Sequence, residues 1–156
     1  MSRFTLLVAT LGLLSASASA GPAVNVWTYG PASACRAQYE QYTTMNFGQL
    51  FNSSTSIGFA VDCALEGFYN PQNVVVQAYD GATDGVATCY QCFTSGFTVY
   101  CGASTTTSTT GTGYSYLYPT ASSSVFSGTA GAFYVSCFLP AGSNTYGVAK
   151  YYYSQY

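Results

Sequence analysis

The chain has 156 residues, enough for one domain with its own core. Only 5% of them are charged, histidine is absent, and three basic residues stand against five acidic ones, for a net charge of −2. So few cations make no footprint for phosphates, which excludes nucleic acid as a partner, and the lack of histidine excludes the familiar Ser and Cys catalytic triads.

The chain opens on Arg3, an apolar run over residues 6–14 and the small residues Ala18-Ser19-Ala20. That is the order of a secretory signal peptide, with cleavage expected after Ala20. The run is too short to span a bilayer, and no later stretch is long enough, so no membrane association is expected after cleavage. The expected location is secreted and extracellular. All six cysteines lie beyond the cleavage site: Cys35, Cys63, Cys89, Cys92, Cys101 and Cys137. An even set in an exported chain predicts three disulfides. The alternatives fit poorly. A zinc knuckle at Cys89-x-x-Cys92 has no second pair and no histidine, and a thioredoxin-type motif has no helix after it.

Residues 21–34 read as an extended N-terminal arm or edge strand, anchored by Val24, Val26, Trp27 and Tyr29. A short helical turn is expected over residues 35–41. Beyond it, strands alternate with turns. Ile57, Phe59, Val61 and Cys63 share one face, Val74, Val76 and Ala78 another, and Phe133, Val135, Cys137 and Leu139 a third. Period-two patterning of this kind predicts half-buried strands. Turn signals separate them at Asp80-Gly81, Asp84-Gly85, Ser95-Gly96 and Pro140-Ala141-Gly142. The expected fold class is all-β: one disulfide-stapled β-sandwich over residues 35–156, jelly-roll or immunoglobulin-like, with about nine short strands counting the arm.

Strand faces also narrow the cysteine pairing. Cys89 and Cys92 are three apart and point to opposite faces of one strand, whereas Cys92 and Cys101 flank a hairpin over residues 93–100. The pairing proposed, out of fifteen possible, is Cys92–Cys101, Cys89–Cys137 and Cys35–Cys63.

The short segments Asn46-Phe47-Gly48, Asn52-Ser53-Ser54, Val61-Asp62-Cys63-Ala64-Leu65, Val74-Val75-Val76-Gln77-Ala78-Tyr79-Asp80, Val86-Ala87-Thr88-Cys89 and Tyr134-Val135-Ser136-Cys137-Phe138-Leu139-Pro140 occur in this order, with Gly147-Val148-Ala149-Lys150-Tyr151-Tyr152 at the end. Together they resemble a group of short, exported, uncharacterised bacterial β-sandwich proteins. The group pattern has proline where this chain has Ala64, and it lacks the pair Cys92 and Cys101. Some exported β-sandwich subunits of this look build glycan-coated extracellular fibrils, so the resemblance implies a filament or coat subunit.

Several candidate sites stand beside their plainer readings. Asn52-Ser53-Ser54 is an N-glycosylation sequon. The hydroxyl run Ser104, Thr105, Thr106, Thr107, Ser108, Thr109 and Thr110 reads as an O-glycan cluster or a Thr-rich loop. Asp80 and Asp84 are turn formers in preference to calcium ligands. With Glu40, Asp62 and Glu66 they are the only acids, and no pair is placed to flank a glycosidic bond, so no catalytic residue, metal or cofactor is expected.

Tyrosine supplies 16 of the residues, concentrated around residues 114–118 and 151–153. It gives large contact area at low entropy cost, which suits interfaces and sugar stacking. A self-associating subunit, its arm adding a strand to the sheet of the next copy, is therefore the expected function, with self the principal partner and glycans a second. A secreted carbohydrate-binding module is the alternative.

Overall fold

The computed structural model describes residues 26–65, 71–83, 85–108, 112–121, 131–142 and 146–155. The segment read as a signal peptide, Val24, Glu66, Asp84, Thr109 and Thr110 lie outside them. The described residues form twelve strands: β1 (Val26–Pro31), β2 (Cys35–Ala37), β3 (Thr43–Asn46), β4 (Gln49–Asn52), β5 (Phe59–Leu65), β6 (Gln72–Asp80), β7 (Thr88–Ser95), β8 (Thr98–Cys101), β9 (Thr105–Thr106), β10 (Gly113–Leu117), β11 (Ala132–Leu139) and β12 (Tyr146–Gln155). Single 3₁₀ turns at Ala32–Ala34 and Glu40–Tyr42 are the helical content among them.

The strands form two antiparallel sheets of six. In one, here the tyrosine sheet, the order is β10-β6-β12, and β4 and β1 lie end to end along the far side of β12, with β3 beyond β4. In the other, the cystine sheet, the order is β2-β5-β11-β7, with β8 and β9 end to end along the far side of β7. The alternation explains their packing. Val61, Cys63, Val135 and Leu139 of the cystine sheet and Val74, Val76, Ala78 and Val148 of the tyrosine sheet form one buried cluster. Each fully buried Val or Leu contributes roughly 1.5–3 kcal/mol. Tyr151 ties the sheets together. It is buried on β12, and its hydroxyl donates to the Ala64 carbonyl of β5 at 2.9 Å.

The strand count exceeds the expected nine because β2, β3 and β9 have three, four and two residues, too few to carry a periodic signal. The helical turn expected over residues 35–41 is also corrected. Cys35–Ala37 is a strand, since its ladder sets Cys35 opposite Cys63, and the turn comes later at Glu40–Tyr42. Of the two readings of residues 21–34, arm or edge strand, the described part is an edge strand: β1 pairs with β12 of its own chain.

The three disulfides join the expected partners, Cys35–Cys63, Cys89–Cys137 and Cys92–Cys101. In each, the two cysteines face one another across adjacent strands, β2–β5, β7–β11 and β7–β8. All three therefore stitch the cystine sheet to itself. The tyrosine sheet carries none of them.

Candidate functional site

The outward face of the tyrosine sheet is built from aromatic rings. On β6, Val74, Val76 and Ala78 point into the core, so Val75, Gln77 and Tyr79 point out. The register then sets Tyr114 of β10 beside Tyr79, Tyr116 beside Gln77, and Tyr29 of β1 beside Tyr152 of β12. Ring centroids are 5.2 Å apart for Tyr79 and Tyr114, 5.7 Å for Phe51 and Tyr79, and 5.6 Å for Tyr29 and Tyr152. Gly147 lies between Tyr79 and Phe51 in the ladder. A Cβ there would stand 2.7 Å from the Phe51 ring, so the glycine lets the two rings meet edge to face across β12. Gln49 donates its amide to the Tyr114 hydroxyl, and Gln77 donates to that of Tyr116 at 3.3 Å. Tyr29, Tyr114 and Tyr116 nonetheless keep half or more of their surface exposed.

Lys150 sits within these rings because β12 is bulged. Val148 pairs with Ala78 and Lys150 with Gln77, leaving Ala149 as an extra residue. Val148 and Tyr151 both face the core. Two residues between two inward ones is the signature of a bulge, and its effect is to turn Lys150 outward where strict alternation from Val148 would turn it in. Its Nζ lies 5.6 Å from the Tyr152 ring centroid. The Tyr152 side chain, chiefly through a hydrogen bond, holds the ammonium above its ordinary pKa, and Tyr116 and Tyr29 act in the same direction.

The second feature is β1. Its six residues run antiparallel to β12, from Val26 opposite Gln155 to Pro31 opposite Lys150. Gly30 is buried against the end of the Tyr151 ring, in the space a Cβ would occupy. Of the four residues expected to anchor an arm, Val24 lies outside the described residues, Val26 and Trp27 are placed by backbone pairing opposite Gln155 and Ser154, and Tyr29 stands on the aromatic face.

The candidate glycosylation residues separate. Asn52 is fully buried, its Nδ2 within hydrogen-bond distance of the carbonyls of Ile57, Leu139 and Pro140, and its Oδ1 accepts the Ser54 amide. In the folded chain it is a structural residue with no amide exposed to carry a sugar, a correction to the sequon reading. Thr107 is also buried and donates its hydroxyl to Asp80. Thr105 has a buried hydroxyl, whereas Ser104, Thr106 and Ser108 are exposed.

Asp80 is buried, accepting from Thr107 and from the Ala82 amide, as a turn former does. Asp62 is exposed on the outer face of the cystine sheet, opposite Arg36, and Glu40 is exposed at the start of its 3₁₀ turn. Among the described residues no group of three or more His, Cys, Asp or Glu could hold a metal ion, and no helix is long and apolar enough to cross a membrane. Sequence reasoning missed the Lys150 site, because a bulge leaves no periodic mark; the two adjacent outward residues before Tyr151 were its faint signal. Compared with protein-family models and with curated proteins, the sequence matches none.

Proposed function

We propose that the protein is an exported structural subunit that self-associates into a filament or coat by exchanging its N-terminal strand. The seating of β1 carries this reading. β1 is the first described strand of the chain, it lies at a sheet edge, and it belongs to the sheet without disulfides. A copy that releases its own β1 leaves the second half of β12 paired with β6 on one side and open on the other. The β1 of another copy restores the same ladder in the same register, with Gly30 over Tyr151 and Tyr29 beside Tyr152. The bonds lost within one chain are regained between two, which makes such exchange a low-cost route to assembly. Each copy gives one strand and receives one, so the contact is head to tail and propagates unless it closes into a ring. The resemblance to fibril-forming exported subunits points the same way. On this reading the sandwich is of the jelly-roll or immunoglobulin-like kind, export follows the leader, and the exposed Ser104 and Thr106 are hydroxyls suited to carry a glycan coat.

Electron microscopy of the unreduced mature protein is expected to show filaments. Mature chains carrying Val26→Cys, mixed with chains carrying Gln155→Cys and oxidised, are expected to give a cross-linked heterodimer. Gly30→Val, which forces a side chain into the Tyr151 ring, is expected to abolish assembly. Filaments that persist after removal of residues 21–31 would sink strand exchange, and monomers under all conditions would sink the subunit reading itself.

A further inference from the structure

We propose that the outward face of the tyrosine sheet, centred on Lys150, is a binding site for a carboxylate-bearing polysaccharide. Three observations on this face select that ligand. It exposes the rings of Tyr29, Tyr114 and Tyr116 with hydroxyls at their tips, groups on which the C–H faces of sugar rings stack and to which their hydroxyls hydrogen-bond. The side-chain amides of Gln49 and Gln77 already lie among these rings, each on a tyrosine hydroxyl, and add polar partners suited to hydroxyls. And the face carries a cation: the groups that act on Lys150 are Tyr152, Tyr116 and Tyr29, with no carboxylate among them.

The charge decides between neutral and acidic glycans. An ammonium set among aromatic rings, with no carboxylate among the described groups that act on it, offers a charge-assisted hydrogen bond to an incoming carboxylate, stronger than one to a neutral hydroxyl. The bulge in β12 spends a regular ladder position to aim that ammonium outward, and bulges that re-aim a side chain are enriched beside active sites. Lysine's ordinary pKa already keeps Lys150 protonated throughout the physiological range, and the tyrosines around it shift it further in that direction. A uronic acid unit would set its carboxylate on Lys150 and stack its neighbours on Tyr29 and Tyr152 to one side and Tyr116 to the other.

This site does not depend on strand exchange. Tyr29 reaches Tyr152 from β1 whether that strand comes from the same chain or another, so binding and assembly are separable measurements. Binding of a polygalacturonate oligosaccharide and of its carboxyl-reduced form is measured by titration calorimetry on the oxidised mature protein. The acidic form is expected to bind at least tenfold more tightly. Lys150→Met is expected to erase that preference, and Lys150→Arg to keep it. Tyr152→Ala is expected to weaken both ligands, while Arg36→Gln on the cystine sheet changes neither. Unchanged melting of each variant shows that the fold is intact. Equal binding of the two forms by the wild type, no binding of either, or a preference that survives Lys150→Met overturns the proposal.

Discussion

Asn52 shows how much of this sandwich hangs on single polar side chains. Its amide nitrogen has two hydrogens and three carbonyls in reach, so one hydrogen is shared, and its oxygen holds the Ser54 amide at 2.8 Å. Replacing it takes this partner from the buried Leu139 carbonyl and Ser54 amide as well as from the part-buried carbonyls of Ile57 and Pro140. Asn52→Ala is expected to cost about 2–4 kcal/mol by urea unfolding. Asn52→Asp should cost more, since a carboxylate would face carbonyls with nothing to donate to them. Phe47 is the opposite case. It occupies the left-handed region at φ 49° in the two-residue turn between β3 and β4, followed by Gly48 at φ 76°, and its side chain is 96% exposed. The turn matches strand twist but suits asparagine far better than a bulky aromatic. Phe47→Asn is therefore expected to raise stability by about 0.5–1 kcal/mol, read as a higher melting temperature. A lower one would mean that the ring makes contacts beyond this chain's own fold.

At the scale of elements, the disulfides divide the molecule into a stitched sheet and an unstitched one. The bridges close loops with sequence separations of 28, 48 and 9 residues. Loop-closure entropy then ranks them at about 3.6, 4.1 and 2.7 kcal/mol for Cys35–Cys63, Cys89–Cys137 and Cys92–Cys101. Removing each pair by double alanine substitution is expected to lower stability in that order, with Cys89–Cys137 the most severe because both its cysteines are fully buried. Equal losses for all three would mean that native-state packing sets the cost. The tyrosine sheet has hydrogen bonds and packing alone, so no disulfide would have to break for the proposed exchange of its edge strand β1. Much of this was legible beforehand. The burial pattern of β5 and β11 follows the alternation of Phe59, Val61 and Cys63 and of Phe133, Val135, Cys137 and Leu139. The Cys92–Cys101 hairpin followed from its turn residues Ser95-Gly96 and from opposed strand positions. The strand Cys35–Ala37 was not legible, because three residues held by a partner 28 positions away carry no local signal.

At the scale of the whole molecule, low charge is the governing property. Three basic and five acidic residues in 156 give neither long-range repulsion between copies nor ionic glue. An interface made by strand exchange rests on backbone hydrogen bonds and buried rings. Filament formation is accordingly expected to be unchanged between 10 mM and 1 M sodium chloride, about a tenfold change in Debye length, by light scattering and microscopy. Dissolution at high salt would mean that ion pairs hold the copies together. The polysaccharide site should behave oppositely, losing its acidic preference as salt screens Lys150.

Local pattern was enough to determine the all-β class, the strands with a buried face, the turns between them and the Cys92–Cys101 hairpin pair, because alternation, turn chemistry and strand facing are properties of neighbouring residues. Which sheet each strand joined was a tertiary decision. So was the gathering of every disulfide into one sheet, the seating of β1 on β12, and the burial that turned Asn52 from a sugar acceptor into a structural residue. The bulge at Ala149 and Lys150 belongs there too. A bulge exists only against a partner strand, and the register with Gln77 is what turned the charge of Lys150 onto the aromatic face.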